Sequence, residues 1–174
     1  KLIVPKNQLI ELTKGSLTLG NLIVEPFAVS HDAADPIGIN VFAGKDKATV
    51  VTDTGVISDS ILRRMDDTTL LVLEANYDPH MLRFGPYQPF LKQRVASDEG
   101  HLSNEMAAQA LLMMNRPDFM QVILAHRSEN NNNAVLVTQT IGKMLVDGGV
   151  RIGPEMKLQH GQPNEIVSMK SVKR

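Results

Sequence analysis

The chain has 174 residues, which is enough for one ordinary domain with its own hydrophobic core. With 43% hydrophobic and 21% charged residues it has the composition of a globular protein, and collagen-like, disordered and disulfide-stapled classes are excluded. Cys is absent, which excludes a cysteine nucleophile, a redox pair and a thiolate-bound zinc site. A metal ion would therefore need His, Asp or Glu ligands.

Charge and aromatic content bear on nucleic acid binding. The 18 basic and 19 acidic residues leave a net charge of −1, so a phosphodiester substrate would need local positive charge or a bound cation. Trp is absent and aromatics are only 4%, which argues against the stacking surfaces that hold single strands. No apolar run approaches the roughly 20 residues of a membrane span, and the first residues lack the charged-then-apolar form of a signal peptide. We therefore expect a cytoplasmic protein with no membrane partner.

The first part of the chain is rich in short apolar segments that predict β-strands. These segments cover residues 9–12, 17–19 and 22–29, followed by a hairpin of Ile37–Phe42 and Ala48–Thr52. Turn residues separate them, as expected for strands that are neighbours in an antiparallel sheet.

From residue 58 onward, predicted helices and strands alternate. Ser58 caps a short helix that ends at Met65, and the segment Met81–Ala96 holds one or two helical turns broken by Gly85-Pro86 and Pro89. The other predicted elements are a strand over Leu70–Glu74, a helix over Ser103–Asn115, a strand over Met120–Ala125, a helix over Asn133–Val146 and a final strand over Ile166–Met169. No repeat and no linker divides the chain, so we expect a single domain.

Three polar residues each follow the carboxyl end of a predicted strand: His31, Asp53 and His126. Ligands collect at the carboxyl ends of strands in open α/β sheets. Imidazole and carboxylate together suit Zn²⁺, Mn²⁺ or Fe. Each residue taken alone is more commonly a structural loop residue, but the three together favour a metal site.

His101 and Glu74 each have two interpretations that stay open. His101 directly precedes the clearest predicted helix, where it can either approach a phosphate or pack and cap the helix entry. Glu74 ends an apolar strand and must find a partner, either a ligand histidine or a nearby Arg or Lys. We interpret His80 as a surface residue and His160 as a turn residue.

Two further polar features are more commonly structural than functional. Arg83, Lys92 and Arg94 can meet a phosphate backbone, although scattered cations more commonly form a solvated face. The low-complexity patch Asn130–Asn133 is interpreted as a polar loop in which Asn133 caps the next helix.

Six short motifs in this chain resemble, in order, those of metallo-β-lactamase-fold hydrolases. They are Phe27–Gly38, Val51–Gly55, Leu73–Asn76, Gly85–Tyr87 with Leu91–Arg94, Gly100–Asn104 and Leu124–Ser128. The resemblance runs from about Leu9 to Asn133. It is nearest to the bacterial YycJ/WalJ-type branch, whose members resemble DNA exonucleases, with the tRNA 3′-processing ribonucleases as more distant relatives.

This resemblance implies an α/β (α+β) fold, the αββα sandwich with mixed sheets flanked by helices, and a two-metal site at one edge of the sheets. It implies that His31, Asp53 and His126 are metal ligands, with Asp53 bridging two divalent ions, Zn or Mn, in the complete protein. These three ligands alone would not hold two ions well. It also implies that His101, without being a ligand, stabilises the scissile phosphate or protonates the leaving oxygen. The ions would activate a hydroxide for in-line attack on phosphorus and supply the positive charge that the chain lacks.

The chain also departs from the family pattern. The His-x-His-x-Asp-His loop of the family is absent, since no segment has two His within four residues. We therefore expect that residues 1–174 lack the amino-terminal portion of the domain, which would be a partner of this chain, and that the isolated chain is inactive. Tyr77 stands where close relatives carry His. Arg127 replaces a more usual apolar residue, beside His126 where a cation can meet a phosphate.

The expected function is that of a metal-dependent phosphodiester hydrolase, a DNA exonuclease acting in repair, with DNA favoured over RNA as substrate. The alternatives are an RNA-processing or small-molecule hydrolase of the same fold, because a fold does not determine one substrate, and a non-catalytic binding or regulatory protein. An exposed apolar sheet face would promote association, so a homo-oligomer stays open.

Overall fold

The structure of the chain, a computed structural model, describes residues 15–162 and 165–167 together with the single residues 5, 10 and 12. Positions 9 and 11 of the predicted segment 9–12 therefore lie outside the described residues, and positions 10 and 12 have no regular structure. Among the described residues, no helix has both the length and the apolar character needed to cross a membrane.

Seven strands of the described chain form one mixed sheet, and their spatial order follows the chain order. They are β1 (Leu17–Leu19), β2 (Leu22–Ala28), β3 (Ile37–Ala43), β4 (Asp46–Val51), β5 (Leu70–Glu74), β6 (Met120–Ala125) and β7 (Met156–His160). Strands β1 to β4 pair antiparallel, and β4 to β7 pair parallel. The connections in the parallel half carry helices, as parallel pairing requires. The expected α/β class with a mixed sheet and flanking helices is confirmed.

Three of the five helices in the described part of the chain begin at the cap residues that the sequence predicts. The five helices are α1 (Asp59–Met65), α2 (Pro79–Phe84), α3 (Pro89–Val95), α4 (Asn104–Met113) and α5 (Ala134–Asp147). The side chains of Ser58, Ser103 and Asn133 cap α1, α4 and α5 by accepting a backbone N–H three residues further on. Pro89, expected to break a helix, instead begins α3, where its missing N–H has no intrahelical partner to lose.

The two faces of the sheet are covered differently, because alternate residues of a strand point to opposite faces. On one face Val51, Leu71 and Val122 are buried in a core that also contains residues of α1, α4 and α5. The pairing register places a second apolar set on the other face, half-buried or exposed, and we call it the open face: Val24, Pro26, Ile39, Val41, Val50, Leu70, Val72 and Ile123. The core therefore lies between one side of the sheet and the helices.

The last strand does not lie where the sequence predicts it. The prediction over Ile166–Met169 is wrong where the structure describes it, since residues 165–167 have no regular structure; positions 168–169 lie outside the described residues. The seventh strand is Met156–His160, parallel to β6, and His160 is its last residue rather than a turn residue. Its alternation of apolar and polar side chains is a strand signal, but five residues give that signal little weight.

Candidate active site

Five strands of the sheet run in one direction, and the candidate site lies at the carboxyl ends of four of them. β3 is antiparallel to both β2 and β4, and β4, β5 and β6 are parallel, so β2, β4, β5 and β6 share a direction. His31 and Asp53 come soon after β2 and β4, Glu74 is the last residue of β5, and His126 follows β6. The topology therefore brings these side chains to one edge of the sheet.

Asp53 lies between the two predicted ligand histidines. Its Oδ1 atom is 3.8 Å from His31 Nε2 and 3.5 Å from His126 Nε2. The ring of His101 lies between the same two histidines, with its centroid 5.1 Å from each of theirs. The structure thus gathers all four predicted site residues, which come from four separate segments, into one cluster.

The cluster contains two groups of three residues whose metal-binding atoms all lie within 4.8 Å of one another. One group is His31, Asp53 and His101, and the other is Glu74, His101 and His126. His101 belongs to both groups, although the family resemblance gives it no ligand role. Distance alone therefore does not separate His101 from the predicted ligands.

Glu74 is fully buried, and its carboxylate holds the cluster together. One oxygen, Oε1, accepts hydrogen bonds from Nδ1 of His101 at 2.7 Å and of His126 at 2.6 Å. The other, Oε2, accepts the backbone N–H of Thr54 at 3.2 Å and of Leu102 at 3.3 Å. Among the described residues Glu74 forms no ion pair with Arg or Lys. Of the two interpretations of Glu74, the structure therefore supports orientation of histidines.

These contacts shift two pKa values in opposite directions. Burial on its own raises the pKa of the Glu74 carboxyl, but the hydrogen bonds from His101 and His126 outweigh it and hold that pKa below its usual value. The same hydrogen bond raises the pKa of His126 against the opposing effect of burial, and the charges of Glu74 and Asp53 add to the rise. Glu74 therefore stays ionised and acts only as an acceptor.

The imidazoles are oriented so that their Nε2 atoms are available for binding. His31 Nδ1 lies 3.0 Å from the carbonyl oxygen of Gly100, and His126 Nδ1 faces Glu74. Because a carbonyl and a carboxylate only accept, each Nδ1 carries the hydrogen, and in the neutral ring each Nε2, within 3.8 Å of Asp53 Oδ1, keeps its lone pair. Metal-binding histidines almost always donate their second N–H in this way. The donor set at His31, Asp53 and His126 thus fits a divalent cation.

Two residues of the cluster have a left-handed backbone. Asp53 has φ 55° and His126 has φ 52°, a conformation that costs a non-glycine residue about 1–3 kcal/mol. Asn76 stabilises the turn at His126, because its side-chain amide donates to the His126 carbonyl at 2.8 Å and its own carbonyl accepts from Ser128 N at 2.9 Å. Next to Asp53, the Thr54 N–H is held by Glu74.

The asparagine patch contributes more to the site than a polar loop. Asn132 is buried, and its Nδ2 donates to the carbonyls of Ala75 at 3.0 Å and Asn76 at 3.1 Å, and also to the side chain of Asn104. Asn133 caps α5 as predicted. The role of Asn132 is not predictable from the sequence, because a run of four asparagines between two elements contains no signal that marks one of them as buried.

Four further residues that the sequence singled out have a defined place in the structure, and two of them, Tyr77 and Arg127, are the departures from the family pattern. Tyr77 is buried in a small cluster beside α2 and α3, and this burial raises its pKa, so its side chain is structural here. Arg94 forms an ion pair with Asp32, whose pKa it lowers through their hydrogen bond. Arg127 borders the cluster, and its Nη1 is buried without a hydrogen-bond partner among the described residues. His80 is exposed on α2, as expected.

Sequence comparison agrees with this fold. A family model described as the beta-lactamase superfamily domain matches residues 3–126, more than half of the chain. The chain therefore belongs to the beta-lactamase superfamily, in its metallo-β-lactamase fold, and the family resemblance found from the motifs is confirmed.

Two curated relatives are similar over most of the chain. It is 33% identical over 161 residues to exodeoxyribonuclease YycJ of Bacillus anthracis, covering 92% of this chain and 61% of YycJ. It is 33% identical over 147 residues to exodeoxyribonuclease WalJ of Streptococcus pneumoniae serotype 2, covering 84% of this chain and 55% of WalJ. The chain thus spans little more than half the length of these relatives.

Solved structures are similar in fold alone. The metallo-beta-lactamase fold protein YhfI from Bacillus subtilis superposes with a TM-score of 0.56 at 15% identity, covering 83% of this chain and 50% of YhfI. Zn²⁺-bound PqqB from Methylobacterium extorquens gives a TM-score of 0.56 at 16% identity, covering 88% of this chain and 50% of PqqB. At such low identity these structures carry no information on the substrate.

Proposed function

We propose that the protein is a metal-dependent phosphodiester hydrolase that acts as a DNA exonuclease. The observation that carries this proposal is the position of Asp53 Oδ1, 3.8 Å from His31 Nε2 and 3.5 Å from His126 Nε2. The 33% identity to two proteins named exodeoxyribonucleases supports DNA as the substrate. A role in repair and a place in the cytoplasm are part of the same proposal.

In this proposal His31, Asp53 and His126 would supply part of the ligands of two divalent ions, Zn²⁺ or Mn²⁺, in the full-length protein. Bound ions of this kind polarise phosphoryl oxygens and lower the pKa of a coordinated water toward neutrality. The protein contributes orientation, because the Gly100 carbonyl and Glu74 determine which nitrogen of His31 and of His126 is free.

His101 is assigned the proton transfer to the departing oxygen. Its side chain is 19% exposed, so a substrate can reach it, and its Nδ1 is bonded to Glu74. The carboxylate on Nδ1 holds the ring in place, while Nε2 remains free to face the leaving group. His101 then acts on the leaving group without needing to be a ligand.

The test is cleavage by the full-length protein of 5′-labelled duplex DNA, single-stranded DNA and RNA with Mn²⁺ or Zn²⁺. We expect nucleotide release from DNA that stops with chelator. We expect His101→Ala to lower kcat by about 10²–10⁴-fold, the usual contribution of a general acid. Gln109→Ala, which changes an exposed side chain on α4, is the control and should keep full activity.

Each result that differs from these expectations contradicts a different part of the proposal. Metal-dependent cleavage of RNA in preference to DNA would contradict the substrate assignment and support an RNA-processing enzyme. No metal-dependent cleavage of any of the three substrates would contradict the nuclease assignment and favour a binding or regulatory protein. Full activity of His101→Ala would contradict its role in proton transfer.

A further inference from the structure

Residues 79–97 differ in composition from the rest of the chain. This stretch, which contains α2 and α3, has no Asp or Glu, although the chain as a whole has a net charge of −1. It contains three cations, Arg83, Lys92 and Arg94, and three of the seven aromatic residues of the chain, Phe84, Tyr87 and Phe90. Aromatic residues are therefore scarce in the chain as a whole but concentrated in this stretch.

The two phenylalanines of this stretch are open to solvent. Phe84 on α2 is 67% exposed, and Phe90 on α3 is 71% exposed. The Arg83 guanidinium lies 5.3 Å from the centroid of the Phe84 ring, and the His80 ring lies 4.6 Å from it. Two exposed rings, one of them with a guanidinium beside it, in a segment without carboxylates combine stacking with positive charge.

The same stretch reaches the candidate active site through Tyr87. Tyr87 and Leu91 pack on the small core beside α2 and α3, which fixes the segment between the two helices. Tyr87 also lines a cavity of about 370 Å³ together with His101 and His126. Tyr87, which lies between Phe84 and Phe90 in the chain, thus connects this stretch with the cavity at these histidines.

The cations of this stretch are not equivalent. The charge of Arg94 is balanced by its ion pair with Asp32. Lys92 Nζ donates only to a neutral group, the carbonyl of Arg83, at 2.8 Å, and among the described residues Arg83 forms no ion pair. Arg83 and Lys92 therefore keep the charge that can neutralise phosphates.

We propose that Phe84, Tyr87 and Phe90, with Arg83 and Lys92, form a binding surface for single-stranded nucleic acid. Bases stack on the rings and phosphates meet the two cations, and the strand end then enters the cavity at His101. Single strands are preferred because stacking on a side chain requires unpaired base faces. The direction of the strand toward His101 rests on the proposed nuclease function, whereas binding to the surface does not.

The test measures binding of the full-length protein to a fluorescein-labelled 20-nucleotide oligo(dT) by anisotropy, with chelator present so that nothing is cleaved. We expect the double variant Phe84→Ala, Phe90→Ala to bind about 10–100-fold more weakly, because each stacked base contributes substantially. The variant Phe84→Leu, Phe90→Leu keeps apolar volume and should also lose affinity, since it lacks the flat rings.

The matched control is Met113→Ala, Val146→Ala, which removes two similarly exposed apolar side chains, 67% and 58% exposed, from the far ends of α4 and α5. This control should bind like the unchanged protein. Arg83→Gln should reduce the dependence of affinity on salt, because one phosphate contact is lost. A duplex of equal length should bind more weakly and respond little to the ring variants.

Unchanged oligo(dT) affinity in both ring variants would overturn the proposal. So would an equal loss for duplex and single strand, since phosphate contacts alone would then explain binding. These results are distinct from a failure of the nuclease assignment. Binding that depends on the rings without any cleavage would contradict the exonuclease and support the surface, and cleavage with ring-independent binding would contradict the surface alone.

Discussion

A single buried carboxylate determines the orientation of two histidines in this protein. Glu74 accepts from His101 and His126 with one oxygen and from two backbone N–H groups with the other. A buried charge is tolerated only when its hydrogen-bonding capacity is met. Glu74 therefore contributes both to stability and to the geometry of the site.

We expect Glu74→Gln to lower the free energy of unfolding by about 1–3 kcal/mol, because an amide replaces an acceptor-only group that serves four donors. It should also reduce hydrolysis by the full-length protein, since the rings of His101 and His126 lose their common anchor. Urea unfolding and a cleavage assay measure the two effects.

The control for this change is Glu99→Gln, which makes the same replacement at an exposed position of the loop before α4. Its stability should stay within about 0.5 kcal/mol of the unchanged protein. Equal stability of Glu74→Gln and Glu99→Gln would show that the buried carboxylate does not hold the cluster together.

At the scale of single residues, part of the site can be predicted from the sequence. His31, Asp53 and His126 are recognisable because each follows a strand, and strand direction then brings them together. Their role as ligands stays a prediction. The partners of Glu74 were not predictable, since His101 lies 27 and His126 lies 52 residues away in the chain.

At the scale of elements, the segment entering α4 depends on a close backbone approach at Gly100. A Cβ at this position would lie 2.2 Å from the Arg94 carbonyl oxygen and 2.3 Å from that of Val95. The same turn places His101, whose N–H donates to the Val95 carbonyl at 2.9 Å. The carbonyl of Gly100 itself accepts from His31.

We expect Gly100→Ala to destabilise the protein by about 1–3 kcal/mol, the usual cost of overpacking, and to lower activity by displacing His101. Gly142→Ala is the matched control within α5, where the nearest atom is 3.8 Å from the new Cβ. It should leave stability unchanged or raise it by up to about 1 kcal/mol, because Ala favours a helix interior. Thermal unfolding of both variants distinguishes these outcomes. A stable and active Gly100→Ala variant would contradict the requirement for glycine at this position.

At the scale of the whole molecule, the apolar open face is the largest consequence of the sheet topology. Helices α1, α4 and α5 pack with the opposite face, and Val50 in the middle of the open face is 38% exposed. Contiguous apolar surface of this kind promotes association in water. The face is continuous because the pairing register places apolar side chains of β2 to β6 on the same side.

We expect the 174-residue chain to self-associate at micromolar concentration and Val50→Lys to shift it toward monomer, since a charge would then be buried in the contact. Val146→Lys, at an exposed position of α5, is the control and should associate like the unchanged chain. Sedimentation velocity measures the distribution. A monomeric chain over the whole concentration range, with its fold verified by circular dichroism, would contradict this prediction.

The sequence by itself determined the local features of this protein: the helix starts at Ser58, Ser103 and Asn133, the apolar strands and the polar residues that follow them. These signals act over a few residues, so they can be read without knowledge of the fold. Only the tertiary structure decided that Glu74 orients two histidines and that the carbonyl of Gly100, 69 residues from His31, selects the free nitrogen of that ring. Such pairings depend on how distant segments pack, and no local pattern specifies them.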